Sequence, residues 1–148
     1  MAELRFETVI QRPIEEVFNL ITDLPHYGEW LPPSNLYGNV TQYTGMPVGR
    51  GTQYVDQGKM TRMTGRVTAF EAPKRITFQQ STVSMLGALE VEIRYTLEST
   101  ADSTRVIREV DVHPGGAVGL IHGGLLKSIR QESERILAAM KVWLEKQD

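Results

Sequence analysis

The sequence predicts an α+β fold in which a curved antiparallel sheet wraps around one long C-terminal helix. Three observations carry this. Between Leu36 and Val112, strand-like segments follow one another with only turn chemistry between them: TGMPVGRG at 44–51, DQGK at 56–59, EAPKR at 71–75 and STADST at 99–104. The clearest segment, ALEVEIRYTLES, puts Leu89, Val91, Ile93, Tyr95 and Leu97 on one face and Glu90, Glu92, Arg94, Thr96 and Glu98 on the other, the pattern of a sheet dry on one side and wet on the other. From about Val118 to Glu145, Ile121, Leu125, Ile129, Ile136, Met140 and Trp143 recur near one helical stripe. At about 1.5 Å per residue such a helix runs about 40 Å, enough to cross an entire curved sheet.

The elements follow in order. Leu4, Phe6, Thr8 and Ile10 alternate with Arg5, Glu7, Val9 and Gln11, which reads as a half-buried first strand. The period then changes: Pro13 suits a first helical turn, Glu15 and Glu16 complement the helix dipole, and Ile14, Val17, Phe18 and Ile21 recur at helical spacing. A short helix from about Pro13 to Thr22 follows, stopped by Asp23 and Pro25. HYGEWL forms a further brief turn before Pro32 and Pro33 forbid regular continuation. About six antiparallel strands come next, and the HPGG segment joins the last of them to the long helix as a flexible joint. A twisted sheet with one apolar face needs a cover, and the terminal helix is the one element long enough to supply it. The space between them is either filled by side chains or left as an apolar pocket with a few polar groups.

Composition narrows the function classes. At 148 residues the chain is read as one domain spanning 1–148. A net charge of -2 offers no global field for nucleic acid or an anionic membrane surface. Zero cysteines excludes disulfides, thiolate catalysis and cysteine-ligated metals, and leaves the cytoplasm as the expected compartment. The opening MAELRFETVIQRP lacks the unbroken apolar core of an export signal, and no run reaches membrane-spanning length, so no stable membrane insertion is expected. His26, His113 and His122 do not pair at ligand spacing, no serine sits in a G-x-S-x-G elbow, and HPGGAVGLIHGG has no following strand to complete a dinucleotide-binding unit. Neither a metal nor a cofactor is implied.

The informative polar residues are those that alternation places on the apolar face. If Val106, Val110 and Val112 point inward, Arg108 points inward with them; Ile76 and Phe78 bring Gln80, and Tyr54 brings Asp56. A buried arginine must pair with a carboxylate such as Asp56 or line a wet cavity, unless a bulge returns it to solvent. In the long helix, Glu132 and Ser133 interrupt the stripe between Ile129 and Ile136, a gap suited to a cavity wall or to a ligand in place of a side chain. Gly123 and Gly124 within the helix mean either close approach to the sheet or room for a ligand. Met60, Met63 and Met85 read as adaptable apolar walls or as plain core.

Four stretches resemble the START-like superfamily (SRPBCC), and within it the polyketide cyclase/dehydrase-type members. RPIEEVFNLITDLPHYGEWLPP is similar to that family's opening helices and tryptophan, GMPVGRGT to its glycine turn, VTAFEAPKRITF to its central strand pair and STRVIREVDV to its last strand. The resemblance implies a β-α-α-β6-α helix-grip fold with a deep cavity for a hydrophobic small molecule, and no particular reaction. In that arrangement Trp30 either wedges the first helices onto the sheet or joins Tyr27 at the cavity mouth. The candidate ligand-binding residues are Tyr27, Trp30, Tyr54, Asp56, Met63 and Phe78 from the first half of the chain, and Gln80, Tyr95, Arg108, Leu125, Ile129 and Ser133 from the second.

The expected function is binding of a hydrophobic or aromatic molecule, lipid- or polyketide-like, as carrier or sensor, by a monomer or homodimer with no nucleic-acid partner. Two alternatives follow from the resemblance: a polyketide cyclase or dehydratase in which Arg108 or a tyrosine polarises a carbonyl, and an interaction module of chaperone-activator or stress-response type using the outer face of Glu90, Glu92, Arg94 and Glu98. No nucleophile–base pair is recognisable in the sequence.

Overall fold

The computed structural model describes residues 2–32, 40–44, 47–57, 62–84, 87–114 and 122–146. Strand β1 (Ala2–Ile10) leads into helix α1 (Ile14–Thr22), a 3-10 turn (Leu24–His26) and the one-turn helix α2 (Tyr27–Trp30). Six strands follow: β2 (Val40–Thr44), β3 (Gln53–Gln57), β4 (Arg62–Glu71), β5 (Arg75–Ser84), β6 (Gly87–Thr100) and β7 (Ser103–Pro114); helix α3 (His122–Glu145) closes the fold. The expected helix start at Val118, Met60, Met85 and the glycines of HPGG lie outside the described residues, as does the side chain of Leu125. The described part of the terminal element is helical from His122 through Gly123 and Gly124 onward.

All neighbouring strands pair antiparallel, in the order β1-β7-β6-β5-β4-β3-β2. The meander is what consecutive strands with short turns dictate; the last strand then pairs with the first, placing β7 inside the sheet. Register shifts at Val67/Ala69 between β4 and β5, and at Val40/Gln42 between β2 and β3, are bulges that add local twist and bend. Between β7 and both its neighbours the register runs without a shift.

Alternation sorts the faces as the sequence requires. Phe6, Val67, Ile76, Phe78, Val91, Ile93, Val106 and Val110 are buried in one core with Val17, Phe18 and Ile21 of α1 and Ile129, Ile136 and Met140 of α3. On the opposite face Glu92 and Asp111 stand directly across from each other, a like-charge pair bridged by Arg94, which lies 2.9 Å from the first and 2.7 Å from the second.

Polar ties among the described residues fix α3 in the grip. Lys141 donates to the carbonyl of Val9 at 2.6 Å, and Glu145 accepts from the backbone N–H of Gln11 at 2.9 Å, so the helix end is pinned where β1 stops. Further up, Arg135 donates to the carbonyl of Pro32 at 2.6 Å, tying the helix to the segment after α2. Among the described residues no helix is long and apolar enough to cross a membrane.

Candidate ligand-binding site

The site lies where β3, β5, β6 and β7 face α3 beneath the first helices. Leu24, Leu31, Val40, Phe78, Ile93 and Ile136 give it apolar walls, and Tyr27, Tyr54, Asp56, Gln80, Tyr95 and Arg108 bring polar groups to the same hollow. The free space is about 40 Å³, room for about two or three waters. The deep cavity implied by the resemblance is thus largely occupied by the protein's own rings. Phe78 packs edge-to-face with Tyr54 on one side, centroids 5.8 Å apart, and with Tyr95 on the other at 6.3 Å. The Arg108 guanidinium extends the file, its central carbon 5.4 Å from the centre of the Tyr95 ring.

Each end of this file finishes in a hydrogen-bonding group. At one end the Tyr54 ring lies over Gly65, its cross-strand neighbour, and its hydroxyl accepts from Gln80 Nε2 at 2.6 Å. Tyr54 thereby spans strand β4 to reach β5, which is possible because the residue beneath it has no side chain. Gln80 is 5% exposed, and among the described residues its buried Oε1 has no hydrogen-bond partner. At the other end Arg108, 3% exposed, donates from Nη1 to the Tyr95 hydroxyl at 2.5 Å and from Nε to Ser133 Oγ at 3.1 Å. Its remaining terminal nitrogen, Nη2, bonds to none of the described residues.

Arg108 resolves one sequence expectation. No bulge returns it to solvent, and among the described residues no carboxylate forms an ion pair with it; Asp56 lines the same hollow without pairing to it. The arginine takes the second option, lining a small polar-ended cavity with neutral partners.

Tyr27 is half-buried, and its hydroxyl donates to the carbonyl of Ile21 at the end of α1. Burial is the chief cause that holds its acidity well above the ordinary value of 10, with Tyr95, Tyr54 and Asp56 adding to the rise and Arg108 opposing it. Tyr27 therefore stays a neutral donor.

Of the other sequence candidates, Trp30, Met63 and Ile129 sit in the surrounding core and not on the cavity wall. Trp30 takes the wedge role, edge-to-face with Tyr27 at 5.2 Å. Ser133 is not on the cavity wall and accepts a hydrogen bond from Arg108. The walls contributed by Leu24, Leu31, Val40, Ile93 and Ile136 were not among the candidates, although Leu24 and Leu31 lie in the same aromatic, proline-rich segment as Tyr27. His26 is exposed and pairs with Asp23 at 2.8 Å, and His113 is exposed. Among the described residues no three metal-ligating side chains stand together, and no serine, lysine or histidine lines the hollow.

A broader depression of about 550 Å³ on the opposite side of the sheet is lined by residues such as Thr64, Arg66, Gln79 and Ser81. None of its described lining side chains carries a buried, unpartnered polar atom.

A curved antiparallel sheet gripping a C-terminal helix, with a polar-ended apolar hollow between them, defines the START-like helix-grip class. Residues 1–145 match the family described as polyketide cyclase / dehydrase and lipid transport, and the chain belongs to that family. No curated protein matches the chain. Among solved structures, hypothetical protein jhp0584 from Helicobacter pylori is similar with a TM-score of 0.80 at 13% identity, over 97% of this chain and 88% of that one. Protein MLL2253 from Mesorhizobium loti gives 0.75 at 15% identity over 99% of both chains. The di-domain ARO/CYC protein BexL from the BE-7585A biosynthetic pathway gives 0.73 at 18% identity over 95% of this chain and 45% of that one. At these identities the likeness is one of fold.

Proposed function

We propose that this protein binds a hydrophobic or aromatic small molecule, lipid- or polyketide-like, between sheet and α3, as a carrier or sensor. The observation that carries the reading is an apolar-walled hollow with polar ends, where among the described residues the buried Gln80 Oε1 has no hydrogen-bond partner and Arg108 bonds through Nε and Nη1 alone. Binding of apolar surface at about 25 cal/mol per Å² supplies affinity, and the polar ends supply orientation. Because Tyr54, Phe78 and Tyr95 occupy most of the space, a ligand enters by moving the Phe78 ring aside, while the Gln80–Tyr54 and Arg108–Tyr95 hydrogen bonds stay in place. Native mass spectrometry of the purified protein should show a co-purifying apolar molecule, and Nile red should bind with enhanced fluorescence. A protein with no bound molecule, stabilised by no dye or lipid, defeats the proposal.

A second reading, polyketide cyclase or dehydratase, is favoured by one bond. Arg108 donates to the Tyr95 hydroxyl, so that hydroxyl keeps its own hydrogen for donation to a substrate carbonyl. It also accords with the name of the similar ARO/CYC structure. Turnover of a linear polyketone that Tyr95→Phe abolishes, with ligand affinity retained, supports this reading; unchanged turnover removes the assigned role.

A further inference from the structure

We infer that the molecule held in this hollow is an acid carrying a hydrogen-bond donor at its far end: a carboxylate or enolate received by Arg108 Nη2, an apolar body of one or two rings along Phe78, and a hydroxyl or N–H given to Gln80 Oε1. The inference rests on the reading that the hollow binds a small molecule, and adds the chemistry of that molecule.

The charge comes first. An arginine does not give up its proton in a protein, so Arg108 is a permanent cation at 3% exposure. Its bonded partners, Tyr95 and Ser133, are neutral hydroxyls, and the one carboxylate on the same wall, Asp56, forms no ion pair with it among the described residues. A hydroxyl oriented toward a cation compensates it only in part. An entering anion completes the compensation, which a neutral analogue of the same shape does not. Nη2, without a bond to any described residue on a side chain that lines the hollow, is the donor left to receive it.

The other end has the opposite demand. Gln80 spends its donor on Tyr54, and among the described residues its buried acceptor Oε1 has no partner. An acceptor calls for a ligand O–H or N–H and discriminates against a ligand that lacks one. The two demands come from separate parts of the ligand. Gln80 stands opposite Val91 and Arg108 opposite Tyr95, four positions apart on β6 and on strands either side of it. In an unbent sheet their Cα atoms would be on the order of 16 Å apart, with Phe78, opposite Ile93, between them. The two groups meet the hollow at opposite ends of the ring file, one bonded to Tyr54 and the other to Tyr95.

The test uses the full chain and four probes in calorimetric titration: 4-hydroxycinnamate, cinnamate, methyl 4-hydroxycinnamate and the neutral dye Nile red. The hydroxy acid should bind at least about tenfold more tightly than either the ester or the acid lacking the hydroxyl. Its affinity should also fall as pH drops below the pKa of the acid. Arg108→Met should erase the acid-over-ester preference and Gln80→Leu the hydroxyl preference. The wild-type comparison and its pH profile need no variant to fold. Equal binding of ester and acid, or tighter binding of the compound without the donor, overturns the inference while dye binding keeps the ligand-binding reading. Dye binding with no binding of either acid overturns it as well. Failure of all four probes, the dye included, removes the ligand-binding reading itself.

Discussion

Replacing Gly65 by alanine tests the packing on which the hollow depends. A Cβ at this position would fall within 3.0 Å of Cζ, the hydroxyl and Cε1 of Tyr54. The ring must then lift from β4, and with it goes the 2.6 Å bond from Gln80 Nε2. Three terms set the magnitude. Overpacking costs about 1–3 kcal/mol, and a broken buried hydrogen bond that strands its partners costs about 1–3 kcal/mol. Against them, alanine in a strand gains about 0.5–1 kcal/mol over glycine by restricting the unfolded chain. The net expectation is a loss of about 2–4 kcal/mol, and a loss of 3 kcal/mol lowers Tm by about 6–12 °C for a chain of this size. Urea denaturation of Gly65→Ala, Tyr54→Leu and the double variant gives the coupling. With the ring absent the methyl group meets open space, and Gly65→Ala should become neutral or stabilising by up to about 1 kcal/mol. An equal loss in both backgrounds would refute the argument that the Tyr54 ring is what requires glycine there.

Other perturbations follow from the same coordinates. Arg94→Met removes the cation bridging Glu92 and Asp111, with Glu3 and Glu109 also nearby; urea titration should show a loss of about 1–2 kcal/mol at low salt, shrinking at high salt as the remaining carboxylates are screened. His26 titrates above its ordinary 6.5 because of the hydrogen bond to Asp23, reinforced by that carboxylate's charge. A folded-state pKa raised in this way contributes stability that is fully present below 6.5 and lost as pH rises through the folded value; NMR titration should find the rise in the wild type and its disappearance in Asp23→Asn. Tyr27, neutral in the fold and raised above 10 chiefly by burial, contributes stability present below pH 10 and lost as pH climbs beyond it, where the unfolded chain ionises first. Tyr27→Phe should therefore flatten the fall in urea midpoint between pH 10 and pH 11.

The sheet was legible because alternation is a local property. ALEVEIRYTLES shows its buried face residue by residue, and Leu89, Val91, Ile93, Tyr95 and Leu97 are all buried. Arg108 could be placed inward on the same ground. Ile107 is buried on the opposite face between Glu7 and Thr96, with no shift in register. Contacts set by neighbours distant in sequence were not legible. The passage of Tyr54 over Gly65 to Gln80 joins three strands, and nothing within any one of them announces it. Ser133 was visible as a gap in an apolar stripe, but its bond to an arginine 25 positions earlier depends on where α3 crosses the sheet. The volume of the hollow was least accessible, since it follows from how the rings of Tyr54, Phe78 and Tyr95 stack and not from which residues face inward.

The position of Arg108 in the sheet explains why it stays where it is energetically awkward. Strand β7 is paired on both sides, to β1 and to β6, without a bulge, and Val106, Val110 and Val112 on the same face are fully buried. Turning Arg108 outward by one register step would expose those three valines, and unpairing the strand would open the middle of the sheet. The backbone therefore holds the cation inside, whatever it meets there. Replacing a buried charge with a well-packed apolar side chain is often neutral or stabilising by about 1–4 kcal/mol, so folding alone gives no reason for arginine at this site. Its bonds to Tyr95 and Ser133 hold the guanidinium still, and Nη2 bonds to none of the described residues. That is the arrangement expected of a group fixed in advance for a partner the chain does not itself contain.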